Sequence, residues 1–107
     1  MIKMVNLTPH EINFYTGDTM QFTLQPSGIV ARASAQRVQI GTINGLPVYR
    51  VSYGQITGLP KPEKDTIYIV SSIVAQAVPK RTDVYIVDGT VRDEAGKIIG
   101  CTGLAHI

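Results

Sequence analysis

The sequence predicts a mainly β (α+β) fold: a single β-rich domain over residues 1–107, built of seven or eight short strands and one short helix at residues 71–78. Three observations predict it. Apolar and polar residues alternate in short runs, the period of a half-buried strand. The 10 glycines and 6 prolines are spread along the chain rather than clustered, which suits many short strands joined by turns. Only one stretch, "SSIVAQAV", reads as a helix.

The elements follow in order. "KMVNLTP" is a first short strand ended by Pro9, and "EINFY" is a second. "TGD" at 16–18 turns the chain into "MQFTLQ", which alternates cleanly, and "PSG" at 26–28 turns it again. "IVARASAQRVQIGTI" alternates over most of its length, with Ala31, Ala33 and Ala35 on one side. Such small side chains predict the close approach of another layer, or a bend. Asn44-Gly45 is the strongest turn signal in the chain, because this pair supplies the positive backbone angles of a two-residue hairpin turn.

"LPVYRVSYG" is the return strand, and Pro47 near its start argues for a sheet edge. "QITGLPKPEKD" reads as a loop. Strands at 67–70 and 84–87 flank the helix. The connection between them is about the dozen residues that a parallel crossover needs, although an antiparallel return also fits. "VRDEAGKIIGCTGL" is a final hairpin turning through "DEAGK".

Composition removes several function classes. A net charge of +2, with "PKR" at 79–81 as the nearest thing to a basic cluster, argues against nucleic acid as a partner. The single cysteine, Cys101, excludes an internal disulfide and a cysteine-rich zinc site. His10 and His106 lie far apart with no ligand spacing, so neither a metal nor a cofactor is expected. The opening "MIKMVNLTPHEINFY" holds no long apolar run. The expectation is therefore no secretory signal, no membrane span and a cytoplasmic location.

The candidate ligand-binding residues cluster around the helix. Ser71 or Ser72 can cap its first turn, or can meet an anion there. Arg81 and Asp83 follow its end. They read as an ion pair, or as a phosphate fork beside an acceptor for a ribose hydroxyl or a base amine. In "NLTPH", Asn6 and Thr8 can bond locally, while His10 can act as a base or a phosphate partner.

Tyr49 and Tyr53 share one face of a strand, and such rings can stack on a base or fill a core rim. Tyr53 also opens the proline-bearing loop. Arg92, in "VRDE", stands at a hairpin mouth, where a solvated charge is the plainer reading. Cys101 has no neighbour in sequence that would lower its pKa.

"NLTPH", "PSG-VAR" at 26–32 with one residue between, "YIVSSIVAQA", "RTDV" and "VRDEAGKIIGC" resemble an uncharacterised family of small proteins found in phages, prophages and their Gram-positive hosts. The resemblance covers most of the chain and transfers no catalytic residue, since no activity is established for that family. What it implies is a phage setting. By analogy of setting, the expected function is non-catalytic binding of a phosphorylated, nucleotide-like ligand, sequestering a bacterial immune signal.

Two alternatives stand beside it. One is a small hydrolase or transferase using His10, Asp83 or Cys101. The other is a protein-interaction module or minor virion component with proline-bearing edge strands. A homo-oligomer is expected in the first case, because small β-rich domains commonly bury leftover apolar surface against copies of themselves.

Overall fold

The computed structural model describes all of residues 1–107. Eight strands and one helix follow one another as β1 (Lys3–Asn6), β2 (Ile12–Thr16), β3 (Thr19–Leu24), β4 (Arg32–Ile43), β5 (Leu46–Thr57), β6 (Thr66–Ile69), α1 (Ser72–Ala77), β7 (Val84–Arg92) and β8 (Ile98–Ala105). Six strands form one sheet in the order β1-β6-β7-β8-β2-β3, while β4 and β5 pair only with each other. The mainly β fold with one short helix is therefore what the sequence predicts.

Within the six-stranded sheet, β6 runs parallel to both β1 and β7. The β6–α1–β7 unit is thus a parallel crossover, which resolves the choice left open by its length. β8 returns antiparallel to β7 and then lies parallel to β2, and β2 turns back antiparallel into β3.

Alternation along β6 sends its side chains to two cores. Tyr68 and Val70 join Leu7, Ala31, Val74, Ala75 and Val84 under the helix. Ile69 points the other way, to Ile12, Phe14 and Cys101. The second core gathers side chains from β2, β6 and β8, with Met4 of β1 and Leu24 of β3 packed against it, so the sheet curls around it. The curl is tight enough for Asn6, ending the strand at one edge, to donate to the Leu24 carbonyl, ending the strand at the other.

Helix α1 is a single amphipathic turn and a half. Val74 and Ala75 are buried against the sheet, while Ser72, Ile73, Gln76 and Ala77 remain exposed. It is shorter than the expected 71–78. Ser71 stays extended at φ −69°, ψ 157°, and Val78 leaves the helical region at φ −128°, ψ 56°.

Three other boundaries move. β1 stops at Asn6 rather than at Pro9, because the Asn6 side chain captures the Thr8 amide and folds the chain into a turn. β5 runs on to Thr57, so the loop is residues 58–65. β7 continues past 87 to Arg92, because β8 pairs with it along most of its length.

The β4–β5 ribbon leaves the body at its root. Ala31 is buried there, and Ala33 and Ile56 pack on the first core. The expected close approach and bend are both present, since the pairing register slips between Ala33 and Ala35. Beyond the root the ribbon is bare: every residue from 34 to 55 except Val48 is exposed. Asn44 and Gly45 turn its tip at φ 50° and 81°, the positive angles that this pair predicts.

Candidate functional site

The expected ligand residues fall into separate hydrogen-bonded groups. The first is a knot around Asn6. Its side chain is 1% exposed and fully engaged. Nδ2 donates to the His10 carbonyl at 2.8 Å and to the Leu24 carbonyl at 3.2 Å. Oδ1 accepts from the Thr8 amide at 2.9 Å and from the Thr8 hydroxyl at 2.7 Å. Asn6 and Thr8 thus spend their polar atoms inside the chain. His10 contributes its backbone to this knot, and its ring, on an exposed residue, makes no hydrogen bond.

The second group follows the helix. Arg81 Nε and Nη2 donate to the two Asp83 carboxylate oxygens at 2.8 and 2.9 Å, a bidentate fork. Nη2 also donates to the Pro60 carbonyl at 3.0 Å and so pins the proline-bearing loop. The two side chains are only 23% and 15% exposed. The Arg81 fork holds the Asp83 carboxyl below its ordinary range, against a smaller opposing effect of burial. Behind the pair, His106 Nε2 donates to the Arg81 carbonyl at 2.9 Å and its ring meets Tyr85 edge-on. Of the Arg81 guanidinium, only Nη1 keeps both protons unpartnered.

The third group lies on the exposed face of α1. Ser71 makes no capping bond through its hydroxyl, so the plainer reading of that serine is not realised. Ser72 Oγ accepts from Gln76 Nε2 at 2.8 Å, one turn along. Gln76 in turn lines a depression of about 260 Å³ with Tyr53, Ile73 and Ala77. A neighbouring depression of about 380 Å³ is lined by Ala77, Val78, Pro79, Lys80 and Arg81. Ala77 forms part of both walls, so the two depressions adjoin: one carries an aromatic ring and an amide, and the other runs along "PKR".

Arg92 stands apart. Its Nη1 donates to the Gly96 carbonyl at 2.8 Å, within the β7–β8 turn that Asp93 also ties through the amides of Ala95 and Lys97. Tyr49 lies further out on the ribbon, under the Arg37 guanidinium at 4.1 Å.

Cys101 is buried in the second core, and burial pushes its thiol pKa up. It sits opposite Phe14 of β2. A neutral buried thiol is a poor nucleophile. No group of three histidine, cysteine, aspartate or glutamate side chains lies close enough to hold a metal ion. No helix is long and apolar enough to cross a membrane.

Sequence reasoning missed Gln76, Ile73 and Lys80 as lining residues. The signal for the first two was the helical period: with Val74 and Ala75 inward, positions 73, 76 and 77 must face out. Nothing in the sequence placed Tyr53 beside them, because that contact depends on how the ribbon leaves the body. No protein-family model, curated protein or solved structure matches the chain.

Proposed function

We propose that the protein binds a small phosphorylated, nucleotide-like ligand without converting it, and that it acts in a phage or prophage setting by withholding a signalling nucleotide in the host cytosol. The observation that carries this reading is the double depression about Ala77. Tyr53 offers a ring face and Gln76 an amide, the means to stack and hydrogen-bond a base. Lys80 and Arg81 are among the residues lining the adjoining depression, which supports a cationic contact there.

The reading keeps Tyr53 and Arg81 of the sequence expectation, adds Gln76 and Lys80, and leaves Asn6, Thr8, His10, Ser71, Ser72 and Arg92 outside the two depressions. Asp83 orients Arg81 through one bond to each of its oxygens, and it does not line either depression. The conversion of a ligand by Cys101 finds no support in a buried thiol.

The test is to purify the protein from ordinary cells and from cells with an activated nucleotide-signalling defence, and then to identify by mass spectrometry what each sample releases on heating. An intact nucleotide from the second sample alone is expected, with its loss in Tyr53→Ala and Lys80→Ala. Adding the same compound at a hundredfold over its Kd stabilises a binder by about 2.7 kcal/mol, a rise in Tm on the order of 10 °C for a domain of this size. Release of nothing, with no shift from a panel of adenine and cyclic nucleotides, overturns the reading. Release of a cleaved product replaces it with the hydrolase or transferase.

A further inference from the structure

The chain carries more surface than a folded monomer of its mass. At 11.6 kDa a compact protein exposes about 5,800 Å². This one exposes 7511 Å². Its radius of gyration is 16.8 Å, where a compact chain of this length has about 13 Å. Only 13 of 107 residues are buried. The excess of about 1,700 Å² exceeds the roughly 800 Å² per partner that a standard interface hides.

The excess has an address in the β4–β5 ribbon. A two-stranded ribbon alone is marginal in water, yet this one exposes large apolar side chains on both faces. Pairing places Tyr53, Val51 and Tyr49 on one face, opposite Ala35, Arg37 and Gln39. Val38 and, past the irregularity near Ile40, the Ile43–Leu46 pair lie on the other. Ile43 and Leu46 are 62% and 68% exposed at the tip. Both outer edges of the ribbon are unpaired along strands of 12 residues each.

Charge says what covers it. The ribbon carries Arg32, Arg37 and Arg50 and no acidic residue, whereas all eight acidic residues of the chain lie in the body. The body therefore holds seven basic against eight acidic residues, a net −1 beside the ribbon's +3. Ribbon against ribbon would bring like charges together. Ribbon against body brings opposite ones together.

We infer that the β4–β5 ribbon is a self-association arm that docks on the body of a second copy of this chain, each copy holding the other. The exchange covers the tip and the Val38–Ile43–Leu46 face, and closes a symmetric dimer without open ends. It does not depend on the ligand reading.

Sedimentation of the whole protein tests it. At about 100 μM the expected mass is at least twice the monomer's, with a Kd in the micromolar range or tighter. Val38→Asp with Leu46→Asp should bring the mass to that of one chain and weaken association at least 100-fold, with the far-ultraviolet circular dichroism of the body retained. Arg37→Glu with Arg50→Glu changes exposed charge and the Arg37–Tyr49 contact but no buried side chain, so it serves where the first variant does not fold. It should weaken association about tenfold.

Mixing that charge-swapped variant with the wild-type protein distinguishes the two geometries. Arm on body predicts no preference for mixed pairs, while arm on arm predicts enriched mixed pairs. A monomeric wild-type protein, an unchanged mass in both variants, or enriched mixed pairs each overturn the proposal.

Discussion

Asn6 and Asp83 show how two residues with ligand-binding chemistry can be committed to the chain itself. Asn6 is nearly inaccessible and joins opposite edges of the curled sheet through its donation to Leu24. Asn6→Ala should cost about 2–3 kcal/mol, because buried partners lose their bonds. Asn6→Asp should do no better, since it keeps the acceptor, loses both donors and adds a buried charge. Urea denaturation of the two variants checks this.

Asp83 makes a pH-dependent contribution. Its folded pKa lies below the unfolded value of about 3.9, so its stabilisation is fully present above that pH and is lost as pH falls through the folded pKa. Asp83→Asn should lower stability by about 1–2 kcal/mol at pH 7. The gap from the wild-type protein should narrow as pH falls below about 4, as read by denaturation across a pH series. A gap that widened on acidification would reverse the assignment. The residue types that could make these bonds were legible in the sequence. Their burial was not, because it depends on which distant segments close over them.

At the scale of the element, the ribbon root matters more than its tip. Gly58, just past β5, has φ +78°, and a Cβ there would lie 2.3 Å from the Val30 carbonyl oxygen. Gly58→Ala should therefore cost at least about 2 kcal/mol, since backbone must move. Gly45 has φ +81° with nothing within 4 Å, so Gly45→Ala should cost only about 1 kcal/mol, from backbone strain alone. Chemical denaturation of the pair separates crowding from conformation.

The Asn44-Gly45 turn and the helix were legible, since each is written in local residues, whereas connection length left the direction of the β6–α1–β7 crossover open. The far half of β7 was not legible. Asp88-Gly89 reads as a turn, yet the strand runs through it because Asp88 and Thr90 pair with Gly103 and Cys101 of β8. Pairing with the following strand overrides the local signal.

For the whole molecule, the sequence predicted the class and the number of strands, but not that two of them would stand outside the sheet. Alternation in β4 and β5 reads the same whether a strand is covered by its own chain or by another. Length and composition likewise suggested an ordinary core, and only the surface excess shows how little of the apolar complement the chain buries by itself. The candidate ligand surface was half legible. The helix, Arg81 and Tyr53 could be named, but their meeting at Ala77 depends on the ribbon's exit from the body.

The strand order bears on the birth of the protein. β8 is the only strand that links the N-terminal β2–β3 pair to the β1-β6-β7 half of the sheet. While the ribosome is still working, residues 12–24 are already outside the exit tunnel with no neighbour to receive them, and the oily ribbon follows them. The sheet can knit together only when residues 98–105 emerge. Until then the nascent chain presents sticky strands to its surroundings, and its need for a holding chaperone should be greatest before residues 98–105 appear.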